Sequence, residues 1–138
     1  MMLLDTHIWL RWLPGSEQSL PDTVRHTIRI GGPLMISAIS VWEALYLARA
    51  GRVALGFPWE EWLSLATLGA NVEVIPISQD IASRAAHLPL HHRDPADRFI
   101  IATALVLDTR IISLDEKFPL YAELAGRLFP QIDDQAMR

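Results

Sequence analysis

Strand-like and helix-like segments alternate along nearly the whole chain, which predicts an α/β fold, a parallel sheet with helices on both faces joined by right-handed crossovers. Two short runs, Met2 to Leu4 and Leu34 to Ile36, are continuously apolar, as strands covered on both faces are. The length of 138 residues and the 51% apolar composition suit a single domain, residues 1–138, with material for a proper core. In such sheets the functional crevice lies beyond the carboxyl ends of the strands, where strand order reverses.

The first strand ends at Asp5. Thr6 is then placed to cap a helix from His7 to Leu13, which Pro14-Gly15 stops. Pro21 opens a helix to Ile30, and Gly31-Gly32-Pro33 separates it from the strand Leu34 to Ile36, with Ser37 directly after it. Ser40 with Glu43 three residues on reads as a capping box for a helix Val41 to Ala50, and Gly51 is its stop. Pro58 begins a helix from Trp59 to Leu68. Val72 to Ile75 is a strand, and Ser78 caps Gln79 to His87. After the polar loop His91-His92-Arg93-Asp94-Pro95 a helix runs from Ala96 to Leu107, with Asp94 as its structural cap. Arg110 to Ser113 is the next strand, ending at Leu114-Asp115.

Several function classes are excluded by composition. The absence of cysteine removes disulfide frameworks, thiolate zinc, iron–sulfur chemistry and cysteine nucleophiles, so any metal must be held by oxygen or imidazole. Twelve basic residues against sixteen acidic ones, a formal charge of −4, argue against a protein that holds nucleic acid mainly by a strongly basic surface, though not against a nuclease. Lys117 is the one lysine; the other basic residues are arginines, whose planar forks grip phosphate or carboxylate in bidentate fashion. No apolar run is long enough to cross a bilayer, and a charge at the fifth residue does not suit a signal peptide, so no membrane association and a cytoplasmic location are the expectations.

Asp5, Glu43, Asp97 and Asp115 all fall at the edge where the strands end or the following helices begin. At about 6 Å separation, each like-charge pair among them costs on the order of 3 kcal/mol at an effective dielectric near 20, and together the pairs would exceed the stability of a small domain. Either a cation neutralises them or they protonate. An oxygen-only donor set suits Mg²⁺ or Mn²⁺, which points to phosphodiester chemistry. Asp5 and Glu43 have a capping alternative each, Asp97 that of a first-turn acid favoured by the helix dipole, and Asp115 that of a loop acid. The hydroxyls of Thr6, Ser37 and Ser113, at strand ends, are candidates for orienting a carboxylate or water, with simple capping as the alternative. His91, His92 and Arg93 read as a solvated loop, with a phosphate-contacting lip as the alternative.

Four segments, in order, resemble the motifs of PIN-domain ribonucleases: Leu3-Leu4-Asp5-Thr6-His7, Ser37-Ala38-Ile39-Ser40-Val41-Trp42-Glu43, Asp94-Pro95-Ala96-Asp97-Arg98-Phe99, and Ile112-Ser113-Leu114-Asp115. Within that family the chain is most similar to the VapC-type toxins of bacterial toxin–antitoxin pairs. The resemblance implies a three-layer α/β/α sandwich around a central, mostly parallel sheet. It also implies a Mg²⁺- or Mn²⁺-dependent endoribonuclease cutting RNA with metal-activated water, and a cognate antitoxin protein as partner. Asp5 and Asp97 are then expected to contact the metal directly, with Glu43 and Asp115 completing the catalytic set. Ser113 stands where the family more often has Thr.

A nuclease acting on DNA through the same site, and a Mg²⁺-binding, receiver-like phosphoacceptor, remain as alternatives. Against the second, Lys117 lies two residues beyond Asp115 instead of at a strand end. Trp9, Trp12, Trp59 and Trp62 are more large aromatic surface than a core of this size readily hides, from which a homodimer and an apolar groove for the antitoxin are expected. Arg11, Arg93 and Arg98 are the candidates for positive walls that bind the RNA.

Overall fold

The computed structural model describes residues 1–13 and 17–130. Among the described residues five strands form one sheet: β1 (Met2–Leu4), β2 (Leu34–Ser37), β3 (Val72–Ile75), β4 (Arg110–Ile112) and β5 (Leu128–Phe129). Their spatial order is β3-β2-β1-β4-β5 and every pairing is parallel. Six α-helices accompany them among the described residues: α1 (Thr6–Trp12), α2 (Asp22–Ile30), α3 (Ala38–Arg49), α4 (Trp59–Ala66), α5 (Gln79–His87) and α6 (Pro95–Leu107).

The three layers follow from which strand residues point each way. Met2, Leu4, Leu34, Ile36, Val72 and Ile112 face one side of the sheet and pack on Ile8 and Trp9 of α1, Val24 and Ile28 of α2, Ala44 of α3, and Trp62 and Ala66 of α4. Leu3, Met35, Ile111 and Leu128 face the other side and meet Ile81 and Ala85 of α5 and Ile100, Ile101 and Ala104 of α6. Both faces being dry explains the uninterrupted apolar strands. This is the α/β/α sandwich expected, with a sheet that is wholly parallel.

Some element ends differ from the sequence reading. The first helix begins at Thr6, and its cap is Asp5, whose Oδ1 accepts from the Thr6 amide at 2.8 Å. The third helix begins three residues earlier than expected. Its cap is Ser37, whose hydroxyl accepts from the Ile39 amide at 3.2 Å, so the Ser40–Glu43 capping box does not form. Helix α4 ends at Ala66, beyond which Leu68–Ala70 is a 3₁₀ turn. Strand β5 was not anticipated. Asp94 caps α6 as expected, its Oδ1 accepting from the Ala96 amide at 2.9 Å.

The tryptophans correct the expected groove. Trp9 and Trp62 are fully buried, edge to face with centroids 5.0 Å apart, and the Trp9 indole N–H donates to the Ala66 carbonyl at 2.9 Å. Trp59 stacks on Trp62 and, with Trp12, packs at the margin of the same core. Large exposed aromatic surface lies instead on α3, where Trp42 is 58% and Tyr46 55% exposed, stacked 5.2 Å apart. Residues four apart on a helix share a face, which is why these two rings meet.

The switch in strand order falls between β1 and β4. The chain leaves β1 toward β2 and β3 on one side, then returns through α6 to β4 on the other. The Asp5 amide donates to the Ile112 carbonyl at 2.9 Å, extending the β1–β4 ladder and setting Asp5 beside Ser113 at the carboxyl edge.

Candidate active site

Asp5 is 3% exposed, its carboxylate held from two sides. Thr6 N–H donates to Oδ1, and the Ser113 hydroxyl donates to Oδ2 at 2.7 Å. Burial nevertheless pushes the Asp5 carboxyl up from 3.8 to about 6, because desolvation outweighs these hydrogen bonds. Asp97, in the first turn of α6 and 8% exposed, is pushed up to about 8. Burial is the main cause, and the negative charges of Asp5, Asp94, Glu43 and Asp115 add to it. The helix dipole that favours an acid at this position is therefore overwhelmed.

Two sets of donor atoms meet at Asp97. Carboxylate oxygens of Glu43, Asp94 and Asp97 lie within 4.8 Å of one another, as do atoms of His92, Asp97 and Asp115. The shift of the α3 cap from Ser40 to Ser37 leaves Glu43 inside the helix, where it is free to face this cluster. Its Oε1 is buried without a hydrogen-bond partner. A buried anionic oxygen with no donor is costly, and a cation is the simplest group that would satisfy it. Asp115 is supported by its own turn, its amide donating to the Ser113 hydroxyl at 3.0 Å and its Oδ1 accepting from the Lys117 amide at 2.7 Å.

The four carboxylates named from the sequence are thus brought to one rim, and Asp94 joins them while also capping α6. Of the three hydroxyls, Ser113 touches a carboxylate. Thr6 does not: its Oγ1 is hydrogen-bonded to the Ser40 hydroxyl at 2.8 Å, tying α1 to α3, and Ser37 is a helix cap. Arg98 also departs from its expected place at an RNA-binding wall. Its guanidinium donates to the carbonyls of Ala85, Leu88 and Pro89, each at 2.8 Å, closing the end of α5. Successive helix residues point about 100° apart, so Asp97 facing the site turns Arg98 away from it. Arg11 is engaged with the Ser19 hydroxyl at 3.0 Å and with the Ser19 carbonyl. Arg93 is exposed and, with His92, lines a groove of about 570 Å³ between α5 and the start of α6.

His92, which the sequence left between a solvated loop and a phosphate-contacting lip, lies inside the carboxylate cluster. It is 8% exposed, with Nε2 3.0 Å from Asp97 Oδ2 and 3.1 Å from Asp115 Oδ2. Its placement depends on the path of the loop between α5 and α6, which no local pattern announces.

The PIN domain family model matches residues 2–124. The chain belongs to the PIN-domain family. A curated relative, Ribonuclease VapC22 of Mycobacterium tuberculosis, is 32% identical over 117 residues, which is 84% of this chain and 88% of that protein. Among solved structures, a toxin–antitoxin complex from Klebsiella pneumoniae matches with a TM-score of 0.59 at 19% identity, covering 96% of this chain and all of that one. FitAcB from Neisseria gonorrhoeae matches with a TM-score of 0.55 at 22% identity, covering 83% of this chain and 88% of that one. At these identities the two structures speak for the fold. Membership of the PIN family sets aside the receiver-like phosphoacceptor.

Proposed function

We propose that this PIN-domain protein is a VapC-type toxin, an endoribonuclease dependent on Mg²⁺ or Mn²⁺ and restrained by a cognate antitoxin. The observation that carries the reading is the cluster of Asp5, Glu43, Asp97 and Asp115 at the strand-order switch. As anions these groups would repel one another unless a cation sat among them, and the raised Asp97 and the orphaned Glu43 oxygen support that reading. The naming of the curated relative as a ribonuclease, and a fold shared with a chain from a toxin–antitoxin complex, support the substrate and the partner.

The donor set is mainly carboxylate oxygen, which fits Mg²⁺ or Mn²⁺. In this reading Asp5 and Asp97 hold the cation directly and Glu43 and Asp115 complete the site. When bound, the cation neutralises charge on the phosphoryl oxygens and acidifies the attacking water. Ser113 keeps one Asp5 oxygen fixed by its hydrogen bond, so that the carboxylate presents a constant geometry. The burial of Asp5 and Asp97 excludes water and strengthens their hold on a cation. The exposure of Arg93 beside His92 supports a role for it in meeting substrate phosphates. The stacked, exposed Trp42 and Tyr46 on α3 supply the apolar surface for a homodimer in place of the buried Trp9 and Trp62.

Parallel incubation with single-stranded RNA and DNA of the same base sequence tests the substrate. In Mg²⁺ or Mn²⁺ the RNA is expected to be cut internally and the DNA left whole. Cleavage of DNA at a comparable rate would move the protein to the alternative class.

A further inference from the structure

His92 sits in the site on supports that do not involve the carboxylates. Its backbone N–H donates to the Tyr121 hydroxyl at 2.9 Å, and its ring lies edge to face against Phe118 at 6.0 Å. Its carbonyl is 3.4 Å from an Arg98 nitrogen, and the same guanidinium holds the carbonyls of Leu88 and Pro89 that lead into the loop. Tyr121, Phe118 and Arg98 thus hold the residue with Nε2 aimed between Asp97 Oδ2 and Asp115 Oδ2.

The other ring nitrogen decides what Nε2 does. Nδ1 is buried and has no hydrogen-bond partner. A proton on Nδ1 would be a buried donor without an acceptor, and with both carboxylates ionised, as a bound cation requires, the Nε2 lone pair would face two anionic oxygens. With the proton on Nε2, the same contacts become one shared N–H donating to both carboxylates, and only a weak acceptor is left unpaired. This tautomer offers no lone pair at Nε2 to a metal. We propose that His92 is a positioning residue whose Nε2–H bridges Asp97 and Asp115 and sets their spacing and orientation for the cation. The inference rests on the metal-site reading given above. It separates the histidine from the ligands it accompanies: the ring braces two carboxylates, and each carboxylate oxygen keeps a further lone pair for the ion.

The test uses the full chain and Mn²⁺ alone. Free Mn²⁺ is followed by electron paramagnetic resonance for the wild type, His92→Phe and His92→Gln, with a thermal melt of each without metal. Phe keeps the ring's bulk and removes the donor, whereas Gln returns an N–H near the position of Nε2. His92→Phe is expected to weaken Mn²⁺ binding by about 10–100-fold, the range seen when partners of metal-binding side chains are removed. His92→Gln is expected to restore affinity to within a few-fold, which a general loss of packing would not allow. Echo-envelope spectra of the wild-type Mn²⁺ complex should show no imidazole nitrogen coupling. Unchanged affinity in His92→Phe, or His92→Gln as weak as His92→Phe, would overturn the bridging role, and imidazole coupling would make His92 a ligand instead. Because the spectra use wild-type protein, they test whether His92 is a ligand even if a variant fails to fold. A wild type that binds no Mn²⁺ would overturn the metal-site reading and this inference with it.

Discussion

Replacing Asp97 by Asn removes one negative charge from a place where the fold resists holding it. In the metal-free protein its carboxyl is raised from 3.8 to about 8, by burial first and by four neighbouring carboxylates next. The native state therefore holds a proton that the unfolded chain gives up near its ordinary value. The associated stability is fully present below 3.8 and is lost as pH rises, Asp5's share by about 6 and Asp97's by about 8. At pH 7.5, roughly four pH units of displacement at 1.36 kcal/mol each set an upper bound of about 5 kcal/mol for Asp97. The amide remains a buried polar group, so about half of that, roughly 2–3 kcal/mol, is expected to be recovered. For a domain of this size this corresponds to a rise of roughly 5–10 °C in Tm in metal-free buffer. The same substitution should abolish cleavage. Melting curves with chelator between pH 5 and 8.5 provide the assay: the wild type should lose stability as pH rises, and the Asp97→Asn protein should lose less. A variant that melts at or below the wild type at pH 7.5, or whose pH dependence is unchanged, would refute the reasoning.

Mg²⁺ or Mn²⁺ should raise the wild-type Tm, since a ligand confined to the folded state contributes about 2.7 kcal/mol at a hundredfold excess over Kd; no shift with either ion in a calorimetric scan would count against the site. Arg98→Ala leaves the carbonyls of Ala85, Leu88 and Pro89 without their charged donor. A loss of about 2–4 kcal/mol in denaturant unfolding is expected, and a neutral result would mean that water replaces the guanidinium. Trp42→Ala with Tyr46→Ala should convert a sedimenting dimer to a monomer of 15.5 kDa with little change in melting. A wild-type monomer at micromolar concentration would defeat the dimer.

The layers of this fold were legible because each strand is a short apolar run between caps, and because Asp94-Pro95 and Ser78 mark helix starts by their chemistry. Helix α3 was misplaced by three residues because Ser37 and Ser40 are equally good caps. The choice between them is made by tertiary contact, since Ser40 is needed to bond Thr6. Strand β5 escaped notice because Leu128–Phe129 is two residues whose one pairing is to β4. The acidic residues could be found because the ends of parallel strands gather at one edge whatever the loops do. His92 could not, since its position depends on a loop held by Arg98 and Tyr121. Trp9 and Trp62 were misjudged because counting aromatic rings does not reveal that α1 and α4 turn theirs toward each other under the sheet.

Calorimetric titration of Mn²⁺ at pH 7, in two buffers of different ionisation enthalpy, measures both binding and the protons that accompany it. At that pH an Asp97 carboxyl raised to about 8 is mostly protonated and Asp5, at about 6, is mostly ionised. Because carboxylates bind the cation as anions, saturable binding with release of about one proton is expected from the wild type, and loss of both from the Asp97→Asn protein. Equal binding by the variant would contradict the placement of the cation among these carboxylates, and binding without proton release would contradict a raised Asp97 carboxyl.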